Sequence, residues 1–301
     1  VTPEPAVRPL PDFLPVTRDR FAIVGDLQRT SPMEVWRESN PAERDRIVAA
    51  VAADRPDFCV LLGDLVVSGS SSREWAEFDR FAAPLREAAV PLLPIPGNHE
   101  YWMAGAPSLR RYFARFPALG KRRWYSAAYG PLGLVFLDSN RRFLGRLAWE
   151  EELRWYDEEL ARLDEDPSVG GILVFSHHPP FTNSRVTGDE RHVQAHFLPP
   201  MIATAKALAM FSGHVHSYER FLRRGKLFVV SGGAGAPRVP LSTGTKRRHA
   251  DDLFSGGPRR AFHFLRGAIA ERGISFEVVG LEKGGAETAV IDRFALDWAA
   301  R

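Results

Sequence analysis

Cysteine is nearly missing from this chain of 301 residues, with Cys59 standing alone. No intrachain disulfide can form, and no Cys-based zinc site is possible. Between Phe58 and Val60-Leu61-Leu62, the thiol reads as buried and inert. Long apolar runs are missing as well. None reaches the length of a membrane span, and no basic-then-apolar signal opens the chain. Nor is there an excess of one charge, since 40 Lys and Arg face 37 Asp and Glu for a net +3. The basic residues are scattered apart from runs such as Arg141-Arg142 and Lys246-Arg247-Arg248, which read as solvated loops. A nucleic-acid partner is therefore not expected. Charged or Ser/Gly-rich linkers and internal repeats are absent too, so one domain is the simplest account.

What is present is ordinary globular composition, 45% apolar and 26% charged, which excludes disordered and coiled-coil classes. Pro3, Pro5, Pro9, Pro11 and Pro15 punctuate the opening, so residues 1–18 read as an extended arm and 19–301 as the domain. A first residue of Val rather than Met fits a cytoplasmic chain with a trimmed start, or an exported one whose signal was removed.

Short apolar runs bounded by Gly or Pro recur at 21–24, 58–62, 91–95, 132–137, 171–175, 207–211, 227–230 and 274–279. They predict strands, several apolar at nearly every position and therefore covered on both faces. Helices are predicted over 42–54, 74–88 and 149–163. The first has Asn40 as cap, Pro41 in its first turn and Glu43 completing a capping box. Strand and helix alternate early and strands crowd late, so the class is α/β (α+β) with a mixed or antiparallel component.

Five polar clusters stand out, four directly after predicted strands, where open α/β sheets present ligand-binding loops. They are Gly25-Asp26-Leu27-Gln28, Gly63-Asp64, Gly97-Asn98-His99-Glu100, His177-His178-Pro179-Pro180 and Gly213-His214-Val215-His216. A single Gly-Asp is more often a turn, and a single His more often packed. Together, strand-terminal Asp, Asn and His side chains need a common partner. A pair of cations supplies it, and this thiolate-free donor set suits Mn, Fe, Zn or Co.

At these clusters the sequence resembles the calcineurin-like metallophosphoesterases, and within them the purple acid phosphatase-like branch. The resemblance extends through Trp124-Tyr125-Ser126, Leu137-Asp138-Ser139-Asn140, the helix around Trp155 and Phe228 to Gly233. It implies a four-layer αββα sandwich of two mixed β-sheets flanked by helices. It also implies two divalent or trivalent transition-metal ions, Mn, Fe or Zn. Asp26 and His216 would bind the first, Asn98, His177 and His214 the second, and Asp64 would bridge them. His99 would serve the leaving group as catalytic acid. The implied activity is hydrolysis of a small-molecule phosphate monoester or diester by a metal-activated hydroxide.

Two departures from the family pattern matter. Where many members carry Asp-x-His, this chain has Asp26-Leu27-Gln28, so Gln28 offers an amide oxygen at best. Where purple acid phosphatases carry Tyr three residues after the bridging Asp, Val67 stands, so no ferric–tyrosinate colour is expected. Arg29, His178 and His192 are candidate substrate contacts, and His178 is expected to face substrate or pack rather than ligate. Tyr101 and Trp102 are expected to pack. Substrates would be sorted by loops at 68–72, 185–196 and 240–258. Two rival readings are an inactive metal-binding module of the same fold and a nuclease with the same metal core. A lactamase-like site would need a His-x-His-x-Asp-His cluster, which 214–219 lacks.

Overall fold

The computed structural model describes residues 13–31, 33–254 and 256–298. Among them run thirteen strands, β1 (Phe13–Leu14), β2 (Arg20–Val24), β3 (Cys59–Leu61), β4 (Leu92–Pro94), β5 (Tyr125–Tyr129), β6 (Leu132–Phe136), β7 (Gly171–Ser176), β8 (Ala207–Ser212), β9 (Tyr218–Arg223), β10 (Lys226–Ser231), β11 (Phe262–Ala270), β12 (Gly273–Leu281) and β13 (Ala289–Asp297). Every apolar run singled out above forms a strand. They build two mixed sheets, one ordered β1-β5-β6-β7-β8-β10-β9 and the other β13-β12-β11-β2-β3-β4.

The period of two along each strand explains the layering. In the seven-stranded sheet, Leu134, Leu173, Phe175, Phe211 and Val229 point into the core shared with the other sheet. Their neighbours Val135, Ile172, Val174, Met210 and Val230 form a second apolar cluster with Trp149, Tyr156, Leu160 and Met201 of helices Arg146–Glu165 and Leu198–Ala203. Helices Pro41–Asp54 and Ser72–Phe81 contribute Ile47, Val48, Val51, Trp75 and Phe78 to the large core. The result is the four-layer αββα arrangement of two mixed sheets flanked by helices. No helix among the described residues is long and apolar enough to cross a membrane.

Three local expectations change. Asn40 makes no side-chain cap bond; its Nδ2 instead donates to Ala236 O (3.2 Å), tying the helix start to the loop after β10. Glu43 likewise leaves the capping role and accepts from Gly284 N (3.0 Å) and Lys283 Nζ (3.1 Å). The helix predicted over 74–88 divides into Ser72–Phe81 and Ala83–Glu87, because the Pro84 ring has no N–H and clashes with the preceding turn. Cys59 is buried on β3, and burial pushes its thiol pKa up, as expected of an inert position.

Of the arm expected over 1–18, residues 1–12 lie outside the described set, and Phe13–Leu14 pair in parallel with β5. The segment after them is pinned by Asp57, which accepts from Thr17 N (2.9 Å), the Thr17 hydroxyl, Arg18 N (2.9 Å) and Tyr129 OH (2.7 Å). Burial alone would raise the Asp57 pKa; the Thr17, Arg18 and Tyr129 donors outweigh it and hold it below the usual carboxylate range. Asp57→Ala, leaving these donors unpaired, is expected to cost roughly 2 kcal/mol in denaturant unfolding. Because the folded pKa is depressed, the contribution is full above the usual carboxylate range and fades as pH falls through the folded value. Wild type and variant should therefore converge in stability in acid, and a gap that persists there would contradict the assignment.

Candidate metal centre

Strand order creates the site. β2, β3 and β4 are adjacent and parallel in one sheet, and β7 and β8 adjacent and parallel in the other. Their carboxyl ends deliver Asp26, Asp64, Asn98, His177 and His214 to one place, and His216 follows two residues later. Two ligand groups result, Asp26 with Asp64 and His216, and His177 with His178 and His214, each with donor atoms within 4.8 Å of one another.

One carboxylate joins the groups. Asp64 Oδ2 lies 3.2 Å from His177 Nε2 and 3.4 Å from Gln28 Nε2. Asn98 Oδ1 sits between His177 Nε2 (3.1 Å) and His214 Nδ1 (3.0 Å). Asp26 Oδ1 is 3.5 Å from His216 Nε2. All six residues expected to ligate are thus brought together.

The outer nitrogen of each imidazole sets which nitrogen faces inward. His177 Nδ1–H donates to Leu62 O (2.7 Å) and His216 Nδ1–H to Pro237 O (2.9 Å), leaving both Nε2 atoms for the nest. Burial lowers the pKa of His214 to about 4 and of His216 to about 3, so both are neutral donors at neutral pH. His177 moves oppositely: burial opposes its charge, but Asp64 and then Asp26 prevail and lift it to about 10. Its partner Asp64 is held far below the usual carboxylate range, the opposed burial being outweighed by His177 and His99. Burial raises Asp26 despite His177.

The surroundings hold these groups in conformations that are otherwise unfavourable. Asp26, Asp64 and His214 all have positive φ (59°, 51° and 65°), each costing of order 1–3 kcal/mol. Backbone donors fix them: His214 N reaches both Asp26 oxygens at 3.0 Å, and His99 N reaches Asp64 Oδ1 at 2.9 Å. The glycines before Asn98 and His214 are required for space. A Cβ on Gly97 would lie 2.2 Å from Asp64 Oδ1, and one on Gly213 2.5 Å from Asp26 Oδ2.

Glu100, given no catalytic role above, turns away and accepts from Gly97 N (2.7 Å), Asp64 N (2.9 Å) and Leu65 N (2.8 Å). His99 Nδ1–H donates to Val67 O (2.7 Å), its Nε2 stands 3.8 Å from Asp64 Oδ2, and the Trp102 ring covers it at 3.7 Å between centroids. Tyr101 packs as expected, buried with its hydroxyl on Asp138, whereas Trp102 is 40% exposed and lines a cleft.

Gln28 offers a direct test of whether the residues fit a metal. Its Nε2 meets Asp64 and, at 3.2 Å, His216 Nε2, but its Oε1 is buried with no hydrogen-bond partner among the described residues. A half-turn of the amide exchanges the two atoms and turns an oxygen toward the nest. Combined with carboxylate, carboxamide and neutral imidazole donors, this fits borderline transition metals.

The substrate candidates separate. Arg29 is bound to Glu74 through Nε (3.0 Å) and NH2, and approaches Glu77 at 3.5 Å, so its guanidinium does not line the cleft. His178 and His192 do line it. Ser139 and Asn140 also line the wall, and the only sign of this in the sequence is their position directly after a strand. The Arg141-Arg142 run, read as solvated loop, lies on helix Arg141–Leu144 at the cleft instead.

This layered fold with its strand-end Asp, Asn and His set is the metallophosphoesterase fold. The model of the calcineurin-like phosphoesterase family matches residues 19–218, and the chain belongs to that family. Purple acid phosphatase 22 of Arabidopsis thaliana is 25% identical over 230 residues, covering 73% of this chain and 49% of that protein. Purple acid phosphatase 18 of the same plant is 25% identical over 253 residues, covering 79% and 51%. The chain thus spans about half the length of the curated relatives it matches. A dimetal phosphatase from Danio rerio shares the fold with TM-score 0.64 at 16% identity, over 93% of this chain and 98% of that one. The anchor protein of the Plasmodium inner membrane complex does so with TM-score 0.65 at 16% identity, over 94% and 89%.

Two outcomes follow from this geometry. Gly97→Ala should push Asp64 aside and weaken manganese uptake roughly tenfold or more, as displaced metal-site support does, with equilibrium dialysis as the measurement. Since His177 must lose its proton to ligate, and burial has raised Asp26 too, uptake at pH 7 should release about one to two protons and tighten with rising pH. Calorimetry in buffers of different ionisation enthalpy counts them, and a count of zero would contradict the assignment.

Proposed function

We propose that the chain hydrolyses a small-molecule phosphate ester at a dinuclear metal centre. The observation that carries this reading is the Asp64 carboxylate, grouped with Asp26 and His216 and standing 3.2 Å through Oδ2 from His177 Nε2 of the other group. Asp26, His216 and Gln28 would hold one ion, Asn98, His177 and His214 the other, and Asp64 both. Two such ions supply neutralisation of phosphoryl charge and acidification of water.

The chain's own groups do the rest. His99, oriented by Val67 O and capped by Trp102, keeps Nε2 free to carry a proton to the departing oxygen. Ser139 Oγ accepts the His178 backbone N–H (3.0 Å), and its own proton has His178 Nδ1 as acceptor (2.8 Å). His178 Nε2 then bears the hydrogen and presents a donor to a phosphoryl oxygen beside Asn98, rather than a lone pair to a metal. His192 holds the same wall by donating from Nε2 to Ser139 O (2.8 Å). Manganese, iron and zinc all suit the donor set. Retention of the complete ligand set together with His99 favours turnover over a binding-only module, and the balanced charge favours a small substrate over nucleic acid.

The test compares alkyl and aryl phosphates after chelation and manganese reloading. Wild type should hydrolyse both. His99→Ala should keep its metal and lose roughly 10²–10⁴-fold in kcat on alkyl esters, the range for general acids, with a much smaller loss on p-nitrophenyl phosphate. Equal losses on the two would remove His99 from the acid role. A reloaded wild type that binds manganese and turns over neither ester would overturn the phosphatase reading.

A further inference from the structure

Beside the nest opens a cleft of about 820 Å³ with Asn98 and His178 at its inner end. Residues 139–143 and 189–192 form its sides, and Trp102 stands at the edge over His99. A substrate whose phosphoryl group lies at the nest, with His99 at its leaving oxygen, has its alcohol portion beside this opening.

The charge lining the cleft is unbalanced once existing bonds are counted. Asp189 is engaged by His249 Nε2 (3.0 Å) and accepts Thr182 N (3.0 Å). Glu190 faces His192 Nδ1 at 3.1 Å, and that contact first of all lowers its pKa. Arg248 also stands 3.7 Å from Asp189, and the Arg142 charge joins His192 in acting on Glu190, so three arginines share the cleft with two carboxylates that already have other partners. Arg141, Arg142 and Arg191 line the same space, and among the described residues their guanidinium groups make no hydrogen bond or ion pair. Other arginines around the centre are bound: Arg29 to Glu74, Arg44 to Glu77 and Arg238 to Glu38.

The remaining wall suits a carbon skeleton with hydroxyls. Trp102 and Phe143 offer ring surface, Phe143 being stacked on Tyr101 at 5.0 Å. Asn140 Nδ2 is committed to Pro96 O (2.9 Å) and Asp138 Oδ1 (2.8 Å), which leaves Asn140 Oδ1 buried with no protein donor.

We infer that, given the phosphoesterase reading of the nest, this cleft binds the alcohol part of a phosphate ester bearing a second anionic group, carboxylate or phosphate, through Arg141, Arg142 and Arg191. Guanidinium forks match both anions with paired, charge-assisted hydrogen bonds. A neutral alcohol leaves three like charges facing one opening, and an anionic one relieves them.

The experiment uses the manganese-loaded protein and four esters: p-nitrophenyl phosphate, glycerol 3-phosphate with a neutral alcohol, 3-phosphoglycerate with a carboxylate, and fructose 1,6-bisphosphate with a second phosphate. At least one doubly anionic ester should exceed glycerol 3-phosphate in kcat/KM by roughly tenfold or more, as one charge-assisted contact allows. The better of the two identifies the anion. In the triple variant Arg141→Gln/Arg142→Gln/Arg191→Gln that ratio should fall to about one, mainly through KM, with manganese content matching wild type. Arg191→Gln alone, checked by its melting temperature, should lower the ratio part way and serves if the triple variant folds poorly. Equal kcat/KM for charged and neutral alcohols in wild type, or a ratio that survives the substitutions, overturns the inference and leaves the phosphatase reading standing. No turnover of any ester by metal-loaded protein sinks both.

Discussion

Three backbone N–H groups converge on the carboxylate of Glu100, and the rest of the centre depends on that convergence. Gly97 belongs to the loop after β4, Asp64 and Leu65 to the loop after β3. One buried acid thereby fixes the distance between Asp64 and Asn98, residues more than thirty positions apart. The same device recurs around it, with Asp64 accepting His99 N and Asp26 accepting His214 N from the other sheet. Each loop carries an acid whose acceptor satisfies the backbone of another loop, so the ligands are positioned by bonds that exist whether or not a cation is bound.

That stitching explains how three residues with side chains persist at positive φ. A left-handed Asp or His in an isolated turn relaxes toward the α or β basin. Here the move would break bonds to a neighbouring strand end, and the strain stays. The glycines of the motifs serve the same close packing. Gly97 and Gly213 leave room for the carboxylate oxygens of Asp64 and Asp26, and Gly232, after β10, would set a Cβ 2.6 Å from Asp26 Oδ2. The glycine-rich stretch at 232–235 accordingly backs the first ligand loop, with Ala234 N and Ala236 N donating to Gly25 O and Asp26 O.

Electrostatics divides the site in two. In the nest, burial and mutual repulsion keep His214 and His216 neutral while His177 and Asp64 form a charged pair. In the adjoining cleft the side chains are more exposed, and the wall carries Arg141, Arg142 and Arg191 beside Asp189 and Glu190. The first region gathers side chains that could hold cations, the second presents guanidinium groups, and Asn98 and His178 border both.

The linear sequence determined the eight apolar strands and the candidate ligands, because continuous apolar runs and strand-terminal Gly-Asp, Gly-Asn-His and Gly-His-x-His clusters are local patterns. β1, β5, β9, β11 and β13 carry no such run: β5 (Tyr-Ser-Ala-Ala-Tyr) is short of large aliphatic residues, charges interrupt β9 and β13, and these strands owe their pairing to neighbouring strands. Asn40 and Glu43 look like a cap in sequence, yet Ala236 and Lys283, some two hundred residues away, claim both side chains. Likewise nothing local distinguishes Arg29, bound to Glu74, from Arg141 and Arg142, whose guanidinium groups make no hydrogen bond or ion pair among the described residues. Whether a charged side chain finds a partner depends on which distant segments the sheets bring beside it, and that was decided only by the tertiary structure.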